Sequence, residues 1–122
     1  MIAAAILLAA AAADPVSGTW EGSSLCQVKP SPCHDEHVIY RVIRTGTARY
    51  KIDAYKVVDG RQLFMGAIEV VLDPAGAQLE GPVMSGGKSR GRLHMSLKGM
   101  HLSGRITLAD GTLYRLIEAD KH

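Results

Sequence analysis

The chain has only two cysteines, one tryptophan and one phenylalanine in 122 residues, and after its first 13 residues it has no long apolar run. A membrane-crossing helix needs roughly 20 apolar residues, so no integral membrane segment is expected once those first residues are removed. No stretch shows a sustained helical period, which argues against a helix bundle. No linker or low-complexity tract follows Ala13. The formal net charge is +2, with both signs dispersed along the chain. Nucleic acid is therefore not expected as a partner.

Residues 1–13, MIAAAILLAAAAA, carry no charge and nothing polar. Their length suits the apolar region of a secretory signal, and Ala11-Ala12-Ala13 satisfies the small-x-small cleavage pattern. The expected cut lies before Asp14, leaving residues 14–122 as a single domain in an exported, periplasmic or secreted protein. Cys26 lies too far beyond the apolar run to be the lipid-modified cysteine of a lipoprotein. In an oxidising compartment two cysteines pair most simply with each other. A Cys26–Cys33 bond would close a short loop containing Pro30 and Pro32.

Strand-sized segments alternate with turn chemistry along the rest of the chain. Leu93, Met95 and Leu97 alternate with His94, Ser96 and Lys98, and after Gly99 the alternation resumes through Leu102, Ile106 and Leu108. Asp59-Gly60 and Asp110-Gly111 are hairpin signals, and DPAG at 73–76 and SGG at 85–87 are further turns. Gly66 marks a bulge in the long run from Arg61 to Leu72. With strands over 16–25, 37–45, 49–58 and a short one near 77–80, about eight strands follow in near-sequential hairpins. The expected fold is all-β: a small antiparallel up-and-down β-barrel, with a β-sandwich as the alternative. Closure removes exposed edges, and eight strands make a barrel just wide enough to be filled or to hold one small ligand.

Gly18-Thr19-Trp20 resembles the G-x-W start of lipocalin-type barrels. That resemblance implies a barrel with Trp20 closing one end. The longer stretch GTWEGSSLCQVKPSPCHDEHVIY, together with LYRLIE near the end, is similar to a group of small exported bacterial proteins of unassigned function. They share W-x-G, paired cysteines around K-x-S-P and the following D-E. The resemblance implies an exported, barrel-like protein and supplies no catalytic residue.

The densest chemistry is CHDEH, where His34, Asp35, Glu36 and His37 follow Cys33. These four form the candidate binding loop. Neighbours on an extended chain point to opposite faces, so at most two of them converge unless the loop curls. The expectation is a solvated corner whose carboxylates pair with Arg41, Arg44 or backbone amides. No metal, cofactor or catalytic residue is expected, because neither zinc nor EF-hand spacing is present and no acid, base and nucleophile converge. GGKSRG at 86–91 lacks the glycine spacing of a phosphate loop. Lys88, Arg90, Arg92 and Arg105 are expected on an ordinary polar exterior. The aromatics Trp20, Tyr40, Tyr50, Tyr55, Phe64 and Tyr114 are expected mainly to fill the core.

On these grounds the expected function is binding of a small apolar or amphipathic ligand in the barrel. The alternative is a protein–protein module, such as an inhibitor of an exported or foreign hydrolase, using the 26–33 and 82–91 loops as contact surfaces. An enzyme is not expected.

Overall fold

The computed structural model describes residues 14–28 and 32–122. The segment expected to be a signal, 1–13, lies outside the described residues, as do Lys29, Pro30 and Ser31 of the disulfide loop. Eight strands follow in sequence: β1 (Gly18–Cys26), β2 (Glu36–Gly46), β3 (Arg49–Val58), β4 (Arg61–Leu72), β5 (Gln78–Ser85), β6 (Lys88–Lys98), β7 (His101–Leu108) and β8 (Leu113–Lys121). Each pairs antiparallel with the next and β8 returns to β1, giving a closed up-and-down barrel.

The turns follow from local chemistry. Asp59 and Gly60 both take positive φ, as do Gly86 and Gly87, which is the geometry of two-residue turns whose twist matches the flanking strands. Asp73 Oδ1 accepts hydrogen bonds from the amides of Ala77 (2.9 Å) and Gln78 (3.0 Å), fixing the longer β4–β5 turn. The β4 bulge occurs where expected: Ala54 faces Gly66 while Tyr55 faces Phe64, leaving Met65 as the extra residue. One expectation is corrected. The strand near 77–80 extends to Ser85 and β6 begins at Lys88, so 82–91 is a hairpin end around Gly86-Gly87 and not an open loop. The SGG signal located the turn, but Gly81, Pro82 and Gly91 masked the alternation on either side of it.

Close strand approach is set by missing side chains. A Cβ on Gly22 of β1 would overlap the Glu118 carbonyl oxygen of β8, at the seam that closes the barrel. Gly81 of β5 lies in the same way against the Glu69 carbonyl of β4. Glycine at these points lets the sheet coil tightly.

Inside, the two halves differ. The half at the chain termini is filled by Trp20, Val70, Leu79, Leu97 and Leu102. Trp20 is 0% exposed, and its indole N–H donates to the Val16 carbonyl at 2.9 Å. Asp14 supports this end: its carboxylate accepts from the Val16 and Ser17 amides and from the Tyr50 hydroxyl at 3.1 Å. Burial alone would raise the Asp14 carboxyl, but these donors and the Ser17 hydroxyl hold it below its ordinary value. The outer face carries Arg41, Lys51, Glu69, Arg92, Arg105 and Glu118, all wholly or partly exposed. Apolar inside and charged outside is the reverse of a lipid-facing barrel. Among the described residues, no helix is long and apolar enough to cross a membrane.

Candidate functional site: a half-hollow barrel with a lateral slot

The β4–β5 seam is the weak one. β4 pairs with β3 from Arg49 opposite Val71 to Val58 opposite Arg61. It pairs with β5 only at Val71 opposite Glu80 and Leu72 opposite Leu79. Beyond Gly81 the two strands diverge, leaving a slot between 61–70 of β4 and 82–85 of β5.

Behind the slot, in the half away from Trp20, lies a cavity of about 370 Å³. This falls in the range of roughly 300–1,000 Å³ typical of small-molecule sites. Its walls are mostly apolar, with Ile52, Ile68, Val83, Leu93, Met95 and Ile106 among them. Met65, Gly66, Ala67 and Ile68 all border it, so the cavity wraps around the edge of β4 instead of meeting alternate residues on one face. Leu63, Phe64, Met65 and Met84 are exposed apolar side chains around the slot.

One end of the cavity is polar. Arg115 points inward from β8 and is only 8% exposed. Its Nη1 donates to the Ser24 carbonyl (3.1 Å), the Ser24 hydroxyl (3.2 Å) and the His34 carbonyl (3.0 Å). The Glu36 carboxylate lies 3.6 Å from the same nitrogen. The guanidinium also sits 5.1 Å from the centre of the Tyr114 ring. Tyr40, 5% exposed, completes this end. Burial, then the Glu36 carboxylate, push its phenol well above the ordinary tyrosine range, so it is a neutral donor.

Glu36, Tyr114 and Arg115 also border a more polar depression of about 450 Å³ on the outer side, lined by Pro32, Cys33, His34 and Lys56 among others. The ion pair and Tyr114 thus partition the interior from this end of the barrel. The disulfide lies at the same end. Cys26 and Cys33 are bonded, with Cα atoms 5.9 Å apart, and the Cys26 amide donates to Asp35 Oδ1 at 2.8 Å. The slot borders the cavity along β4, and Met84, Arg90, Leu108 and Tyr114 border it near the strand ends.

The four residues of the candidate loop separate. Asp35 binds the Cys26 backbone amide, as expected for a solvated corner. His34 contributes its carbonyl to Arg115. His37 lies on the outer face and pairs with Glu21 across β1 and β2. Glu36 turns inward to Arg115. Its expected partners are engaged elsewhere: Arg41 donates to Gln62 Oε1 at 2.7 Å, and Arg44 Nε donates to the Gly46 carbonyl. Among the described residues no three His, Cys, Asp or Glu side chains come together in a metal-binding group.

The aromatics divide as well. Trp20, Tyr40 and Tyr50 are buried, whereas Tyr55 and Phe64 stack edge-to-face on the exterior with ring centres 5.5 Å apart. Of the basic set, Arg92 pairs with Glu80 at 2.8 Å and Arg90 reaches the cavity rim while remaining exposed. Sequence reasoning missed Arg115 as a site residue. The available signal was its phase, since it shares the inward face of β8 with Ile117 and Ala119.

The chain matches no protein-family model, and no curated protein matches it significantly.

Proposed function

We propose that this protein is an exported carrier that holds one small, largely apolar molecule inside its barrel. The observation that carries this reading is the largely apolar cavity of about 370 Å³ behind the sparsely paired β4–β5 seam. A cavity of this kind stabilises a ligand by removing its apolar surface from water, roughly 25 cal/mol per Å². The Cys26–Cys33 disulfide is compatible with an oxidising compartment and supports the exported setting.

The test uses N-phenyl-1-naphthylamine, an uncharged apolar dye whose fluorescence rises out of water. Saturable binding of one dye per barrel is expected. Ala54→Phe, which places a ring in the cavity from β3, is expected to abolish that binding in a protein that still folds. An undetectable dye signal, or equal binding by a folded Ala54→Phe variant, would count against the carrier.

A second reading, a protein–protein module, draws support from the exposed apolar side chains Leu63, Phe64, Met65 and Met84 around the slot. It predicts that Phe64→Ser abolishes recovery of a protein partner from periplasmic or host extracts while leaving dye binding intact.

A further inference from the structure

The polar end of the cavity narrows the carrier reading to a chemical class of ligand, a class that rests on that reading. Every fully enclosed side-chain nitrogen and oxygen among the described residues has a hydrogen-bond partner. Among the described residues none is hydrogen-bonded to the Tyr40 hydroxyl, although the residue is only 5% exposed. Tyr40 lines the cavity, so the open side of its hydroxyl faces that space. Because no enclosed polar atom among the described residues is unpaired, the hydroxyl oxygen keeps access to the cavity space; a ligand that fills the cavity removes this access and must bring an acceptor or leave the hydroxyl unpaired at a cost.

The charges at this end decide what the acceptor is. One guanidinium, Arg115, and one carboxylate, Glu36, stand 3.6 Å apart. Arg115 is further engaged with the Ser24 and His34 oxygens. The pair is neutral overall, so an anionic head group would enter without a free counter-charge and beside the Glu36 carboxylate. A cationic head would meet Arg115 in the same way. Burying an uncompensated charge is far more costly than burying a hydrogen-bonded carbonyl. Arg90 is exposed at the rim, where water and salt screen it.

We infer that the ligand is an uncharged apolar molecule carrying one hydrogen-bond acceptor, such as a ketone or ester carbonyl, which receives the Tyr40 hydroxyl while its hydrocarbon part lies against Ile52, Ile68, Leu93 and Ile106. Tyr40 is then the specificity residue. Burial and then Glu36 raise its phenol above the ordinary tyrosine range, so it is a protonated donor at neutral pH.

The experiment compares 2-nonanone with nonanoate as competitors for bound N-phenyl-1-naphthylamine at neutral pH, on the wild type and on Tyr40→Phe. The ketone is expected to compete at concentrations at least about tenfold lower than the carboxylate. Tyr40→Phe is expected to weaken the ketone about tenfold more than it changes dye affinity, the ratio of the two affinities being the readout. On the wild type alone, the infrared carbonyl stretch of bound 2-nonanone should lie below its position in hexane, a readout that does not depend on any variant folding. Tighter binding of nonanoate, an unshifted carbonyl stretch, or undiminished ketone binding by a folded Tyr40→Phe variant overturns the inference and leaves the carrier standing. Failure of the dye itself to bind the wild type overturns both.

Discussion

Arg115 of β8 donates to the carbonyl of His34 at 3.0 Å across 81 residues of sequence. A single guanidinium thereby ties the last strand to the disulfide loop, while also pairing with Glu36 inside the barrel. Structure and candidate site share one side chain.

Replacing Arg115 by methionine keeps the apolar stem but leaves Glu36 and the two carbonyls without their donor. The expected loss of stability is about 3 kcal/mol, the scale on which breaking one partner of a buried pair acts. Adding Glu36→Gln should recover part of that loss, because the stranded charge is gone. Urea denaturation of the two single variants and the double variant measures the coupling. A cost that is simply additive would show that Glu36 and Arg115 do not interact.

The disulfide closes a short loop, the two cysteines being separated by 7 in sequence. On the chain-entropy model its removal costs about 2 kcal/mol. The loop has other anchors in the Cys26–Asp35 and Arg115–His34 hydrogen bonds. Reduced protein is therefore expected to keep its barrel circular dichroism with a lower urea midpoint. Complete unfolding on reduction would mean that those anchors contribute little.

The pH dependence has a defined sign on the outer face. His101 is held above its ordinary 6.5 by hydrogen bonding to Asp120 and then Glu118. Its contribution to stability is complete below about 6.5 and is lost as pH rises through the raised folded value. Glu118 is held below its ordinary 4.5 by the Ser103 hydroxyl and then His101. Its contribution is complete above 4.5 and is lost as pH falls through the lowered folded value. The cluster therefore stabilises most between those two limits, modestly because the groups are exposed and screened. His101→Gln should flatten the decline in urea midpoint as pH rises above about 6.5 at low salt. An unchanged slope would assign the decline to other groups.

Gly22 sits where β1 meets β8, and a methyl group there would overlap the Glu118 carbonyl. Gly22→Ala is expected to destabilise by about 1–3 kcal/mol, the usual cost of forced overpacking. Hydrogen exchange should show the loss concentrated in amides of the β1–β8 seam. Uniform loss of protection across all strands would show instead that the seam opens only with global unfolding.

The sequence by itself determined the strand content, the turn positions and the pairing of the cysteines. Each depends on local chemistry: alternation along Leu93–Leu97, positive φ at Asp59-Gly60, two thiols in one short loop. The bulge at Gly66 was legible for the same reason. Only the tertiary structure decided the hollow half, the slot and the polar end. Cavity volume is what remains after side chains from eight strands meet, and no strand records the volumes of the others. The slot reflects how far β5 tilts from β4 beyond Gly81, which depends on barrel curvature as a whole. Glu36 could be seen as charged, but its inward turn depends on the strand register that brings Arg115 beside it. An arginine in the inward phase of β8 was visible; the carboxylate and carbonyls it would meet lie about eighty residues away, joined to it only by closure of the barrel.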